Sequence, residues 1–236
     1  MITFKYDIKK DAYNWVRKII FQSPFGIKKN LENIPLDIRK KIEQVFKKSK
    51  ISHKQLLSSI KHPSINVMTK YLRKTQDTKK IMAVKNNIER SWRKIEKEYF
   101  KILSRIFKKP LYKAPYTCYL TTQYGCPYDE KENWFMVSIF SELPTQLYII
   151  CHEFMHLQFL YWYRKYCLKK GLEEKQIQDI KEALTFLLNE HEFNKIISFK
   201  DQGYPDHQQL RTKLKKIWKK DKNFKNLLDK AIDYSR

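Results

Sequence analysis

A chain of 236 residues, 42% hydrophobic and 14% aromatic, has the length and apolar content to bury a core without a metal or disulfide staple, which excludes a disordered protein. Its 49 Lys and Arg against 25 Asp and Glu give a formal charge of +24, a balance that attracts nucleic acid, anionic membrane or acidic protein. The lysines are scattered in twos and threes from Lys9-Lys10 to Lys219-Lys220 rather than gathered in one patch, so specific nucleic-acid binding is not expected from charge alone.

The start, Met1-Ile2-Thr3-Phe4-Lys5, lacks the apolar stretch of a signal peptide. No window has the roughly 18 apolar residues of a membrane span, and the nearest, 143–163, is interrupted by His152, Glu153 and His156. The cysteines Cys118, Cys126, Cys151 and Cys167 form no C-x-x-C pair, which points to a reducing compartment, with a Cys118–Cys126 bridge across a turn left open. The expectation is a soluble, cytoplasmic protein with no membrane span.

In chain order, helices are expected at 36–48 and at 53–61, the second stopped by Pro63. Ile81, Val84, Ile88, Trp92, Ile95, Tyr99, Ile102 and Ile106 then recur at spacings of three and four, which predicts one long amphipathic helix over 64–108. The character changes near Pro110, dividing a helical N-terminal region, 1–109, from a second region, 110–236. Residues 116–122 and 134–140 are rich in aromatic and β-branched side chains and read as strands. The turn chemistry of Tyr124-Gly125-Cys126-Pro127-Tyr128-Asp129 between them makes a hairpin the simplest arrangement.

Ser141 as N-cap and Pro144 in the first turn begin a helix that runs to about Cys167, with Gly171 suited to its C-cap. A second helix is expected at 173–193, a loop at 201–205, and terminal helices at 208–219 and 222–234. The fold class is mostly helical α+β with a small antiparallel or mixed sheet.

The chemistry sits in His152-Glu153-Phe154-Met155-His156. Four residues apart on a helix, His152 and His156 share a face and can converge on one ion, while Glu153, rotated by roughly 100°, lies beside the ion and near its water. Zinc lowers the pKa of such a water towards about 7, and a carboxylate can then take the proton. The flanking Leu147, Ile149, Ile150, Phe154, Met155, Leu157, Phe159 and Leu160 make this helix apolar nearly all round, so it is expected to be buried, where a metal compensates the polar groups.

Two histidines do not complete a zinc site. Glu182, in Lys181-Glu182-Ala183-Leu184, begins an apolar helical run far enough beyond His156 to return antiparallel to it, and is the expected third ligand. Glu190, His191 and Glu192 are rivals among more polar neighbours. Asn189, on the same helix face as Glu182, could hydrogen-bond substrate or a ligand.

These residues resemble the gluzincin, or thermolysin-like, group of zinc metallopeptidases. There an H-E-x-x-H helix is followed by a glutamate on a later helix, often in an N-E-A setting, and a substrate-aligning edge strand stands before the motif, where 134–140 lies here. The resemblance covers about 116–207. It implies a zincin-like metallopeptidase domain over 110–236, a zinc cofactor and a peptide or protein substrate. It also implies Glu153 as general base and then acid, with Tyr204 or His207 as the donor to the oxyanion. The sequence departs from the family in a longer interval to Glu182, in Lys181 where the Asn would stand, and in Phe186 where an acid would follow. The alternative from a different class is a basic helical protein that binds nucleic acid or a partner and carries a structural or vestigial zinc site.

Overall fold

The computed structural model describes residues 1–21, 31–50 and 61–236, so the helix expected at 53–61 lies almost wholly outside the described residues. The chain opens with a strand that the sequence reading left unassigned, β1 (Ile2–Tyr6), whose buried Ile2 and Phe4 alternate with exposed Thr3 and Lys5. Helix α1 (Ile8–Phe21) follows, its first turn capped by Asp7 Oδ1, which accepts from the backbone N–H of Lys9 and Lys10 at 2.8 and 3.2 Å. Helix α2 (Leu36–Ser49) matches expectation closely and ends on Lys50 in the left-handed conformation.

The single helix expected over 64–108 is two, α3 (Pro63–Thr75) and α4 (Thr78–Phe107). Two polar side chains account for the break. Asp77 Oδ1 accepts from Lys80 N at 3.1 Å and so restarts the helix as an N-cap. Gln76, in extended backbone, donates through Nε2 to Asp11 Oδ2 at 2.8 Å and Thr122 Oγ1 at 2.7 Å. Asp11 is fully buried and also accepts from Thr121 Oγ1 and Thr122 N, at 2.7 and 2.9 Å, so α1, the helix break and the sheet end meet at one carboxylate.

Beyond Pro110 lie β2 (Tyr116–Thr121), β3 (Tyr128–Asp129) and β4 (Trp134–Ser138), which with β1 form a sheet in the order β1-β2-β4-β3. The expected hairpin between the 116–122 and 134–140 strands is not formed, because β2 pairs with β4 in parallel, Cys118 opposite Phe135. The turn residues 124–127 instead carry the chain past the end of β4 to its outer side, where β3 runs back antiparallel to it. The reversal falls at 130–133, where Asp129 Oδ1 accepts from Lys131 N and Glu132 N and Asn133 takes a positive φ. β1 adds in parallel to the other side of β2, so residues before and after Pro110 share one sheet.

Side chains alternate across this sheet. Ile2, Phe4, Tyr116, Cys118, Leu120, Phe135 and Val137 enter the larger core with α4, while Trp134 and Met136 face the smaller core of α1, α2 and α3. The larger core also holds α5 (Leu143–Lys169), the helix of the His-Glu motif, buried along most of its length as its apolar sequence requires. Its N-cap is Glu142, with no side-chain capping bond, rather than Ser141; its C-terminal turn closes on Gly171 at positive φ. Helix α6 (Glu174–Leu184) returns along α5 and stops well short of the expected 193, passing into a 3-10 turn, Thr185–Asn189, and the short α7 (His191–Asn194). Helices α8 (Gln208–Lys220) and α9 (Phe224–Ser235) close the chain as expected. No helix among the described residues is long and apolar enough to cross a membrane.

Candidate metal centre

Three contacts fix α5 where the site forms. Tyr99 of α4 donates to Cys151 O at 2.5 Å, directly before His152, and Phe100 stacks on Phe154 with centroids 4.9 Å apart. Gln146 donates to Ser138 O at 3.0 Å, tying the first turns of α5 to the end of β4. The imidazoles of His152 and His156 consequently face the same side, ring centroids 4.2 Å apart.

Glu182 reaches them from α6, its Oε2 lying 3.5 Å from His152 Nε2 and 3.2 Å from His156 Nε2. Among the described residues these are the three His, Cys, Asp or Glu side chains whose ligand atoms converge, all within 4.8 Å of one another. The rivals lie elsewhere: Glu190 pairs with Lys222, and Glu192 with Arg105 at 2.7 Å. His191, at the first position of α7, lies outside the converging group.

The donor set fits a metal ion. Atoms bound tetrahedrally at about 2.0–2.1 Å lie about 3.3 Å from one another, and the two separations from Oε2 bracket that value. His156 Nε2 and Glu182 Oε2 are both buried without a hydrogen-bond partner although only 3.2 Å apart, because neither is aligned to bond the other. Leaving such atoms unpaired costs about 1–3 kcal/mol each, and an ion at their common focus removes that cost.

Charge is distributed unequally among the three. Burial, with Lys181 and His152 nearby, drives His156 well below the ordinary histidine range, so its ring is neutral. Burial also opposes charge on His152, but the Glu182 carboxylate beside it and the negative charge of Glu153 lift it above the ordinary histidine value. Glu182 is held far below the carboxylate range, its burial outweighed by both histidines and Lys181. Metal uptake therefore displaces the proton of His152 and, near neutrality, part of the proton on Glu153. Zinc affinity should be level at alkaline pH and fall by at least about tenfold per pH unit once His152 is protonated. Competition against a chromophoric chelator across neutrality reads this directly, and an affinity that does not change with pH would refute it.

Glu153, beside the pair on the next helical position, has its carboxyl pushed up to about 7 by burial, against the pull of His152 and Lys181. Behind His152, Nδ1 lies 3.1 Å from Tyr148 Oη. With Nε2 turned to the metal position, Nδ1–H donates and Tyr148 accepts, which fixes tautomer and ring angle. Tyr148 sits one turn before His152 on the same face, a spacing the sequence displayed but the sequence reading passed over. Its hydroxyl is raised far above the usual range by burial and by the Asp201 carboxylate. Such partners are typically worth 10–100-fold in metal affinity, so Tyr148→Phe should weaken zinc binding by about that factor in the same chelator competition.

The remaining expected residues part company. Tyr204 is 41% exposed, yet its hydroxyl is pushed up to about 12 by burial and by the charges of Glu182 and Glu153. His207 lies against α6, its Nε2 3.2 Å from Asp179 Oδ1. Asn189 spends both ends of its amide on Asp201, donating to its carbonyl at 2.8 Å and accepting from its N–H at 2.7 Å, which closes the loop rather than facing a substrate. Asp201 and Arg211, which sequence reasoning missed, form a wholly buried ion pair at 3.3 Å beneath the site. The four cysteines are free, so the Cys118–Cys126 bridge is not made.

Comparison with protein-family models, curated proteins and solved structures finds no match. The functional reading rests on the site itself.

Proposed function

We propose that this chain is a zinc-dependent peptidase of the gluzincin kind, with His152, His156 and Glu182 as zinc ligands. The observation that carries the reading is the convergence of three ligand atoms on a point beside Glu153, two of them, His156 Nε2 and Glu182 Oε2, buried without a hydrogen-bond partner. Zinc held there supplies Lewis acidity, polarising an amide carbonyl and lowering the pKa of water.

The chain's own groups provide the rest. Glu153 takes the proton of the attacking water and returns it to the departing amine, a shuttle suited to a carboxyl poised near 7. Tyr204, its phenol kept protonated by burial and then by the acids around it, donates to the oxygen on which negative charge develops. Tyr148 holds the His152 ring, and burial of the motif helix keeps bulk water from His156.

Metal analysis of the purified protein should find about one zinc per chain. A chelator should abolish cleavage of a mixed peptide library and zinc should restore it, while His152→Ala should lose both metal and cleavage. Cleavage that survives complete removal of metal would sink the proposal.

A further inference from the structure

The two oxygens of Glu182 have different surroundings. Oε2 faces the histidine pair, whereas Oε1 lies 3.0 Å from Lys181 Nζ. Adjacent residues on a helix point roughly 100° apart and do not meet by default. They meet here because Lys181 is held at its far end. Its Nζ donates to Tyr128 Oη at 2.7 Å and lies 4.5 Å from the centre of the Tyr128 ring, and Tyr128 in turn donates to Gln178 Oε1 at 3.0 Å. Lys181 is only 3% exposed, an uncommon position for a lysine, and every partner named fixes its ammonium beside the carboxylate. Tyr128 belongs to β3, so this chain of contacts ties the sheet to the third ligand.

We propose that Lys181 is a positioning residue that makes Glu182 a one-oxygen metal ligand, by engaging Oε1 and leaving Oε2 alone to the ion. The proposal rests on the metal-site reading above. Carboxylates bind ions through one oxygen or two, and the Lys181 ammonium at Oε1 favours the first. A second oxygen on the ion would take the coordination position that a catalytic zinc site keeps for water or substrate. Lys181 guards that position without touching it.

The test uses cobalt(II) as the probe in the full chain, because its visible bands are intense in four-coordinate sites and weaken on a rise to five. Lys181→Met keeps the unbranched stem of the side chain, one atom shorter, and removes the ammonium. It should still bind one cobalt per chain, with visible bands weakened towards the five-coordinate pattern, and should cleave peptides about 10–100-fold more slowly. Tyr128→Phe, which frees the lysine without removing its charge, should move the spectrum the same way to a smaller extent and serves as the readout if Lys181→Met does not fold. A variant that binds cobalt with the parent's spectrum overturns the role of Lys181 while leaving the metal site standing. Failure of the parent protein to bind cobalt removes both.

Discussion

Glu153→Gln should retain zinc at about the parent stoichiometry and lose hydrolysis by about 10²–10⁴-fold, the usual worth of a positioned general base. The change keeps the shape of the side chain and removes only its capacity to take a proton. Glu153 is one helical position from His152 and outside the converging ligand set, so metal content should be unaffected. The pH dependence sharpens the expectation. Burial lifts this carboxyl to about 7 in the metal-free protein, whereas a dication nearby favours the ionised form and pulls it down. The acidic limb of kcat/KM should therefore lie below 7 and vanish in Glu153→Gln. Stopped peptide cleavage with metal intact would support the assignment; near-parent cleavage would remove Glu153 from the mechanism.

The parts of the molecule legible in the sequence are those that local spacing dictates. The three-and-four recurrence from Ile81 to Ile106 gave the buried stripe of α4, and the apolar flanks of His152 and His156 gave a buried α5. Glu182 was legible because α6 returns along α5, an arrangement that a turn at Gly171 makes simple. What stayed hidden depends on partners distant in sequence. β1 carries only a five-residue alternation, Ile2-Thr3-Phe4-Lys5-Tyr6, and forms because β2 offers it an edge, while the parallel pairing of β2 with β4 is decided by where β3 lands. The break at Gln76 is likewise set by Asp11 and Thr122, far away along the chain.

The early end of α6 belongs to the same class, and it leads to the largest expected effect on stability. Arg211, wholly buried, donates through Nη1 to Thr185 Oγ1 at 2.7 Å and to the carbonyl oxygens of Glu182 and Ala183 at 3.3 and 3.5 Å, while Nη2 faces the carboxylate of Asp201. Its guanidinium so takes up carbonyls that further helix would have bonded. Gly203 permits this, having φ +66°, and a Cβ there would come within 2.5 Å of Arg211 Cζ. Arg211→Met strands the Asp201 charge and the helix-end carbonyls, and should cost about 3–5 kcal/mol in chemical denaturation of the metal-free protein. Arg211→Met combined with Asp201→Leu should recover part of that loss, since both charges then leave the interior together. Because Arg211 bonds the carbonyl of Glu182 itself, its loss should also displace Glu182 from the two histidines. An ion that binds only the native state stabilises it by its binding free energy, so any gain in stability on adding zinc should be smaller in Arg211→Met than in the parent. An undiminished gain would confine Arg211 to the packing of α6 on α8 and separate the two roles.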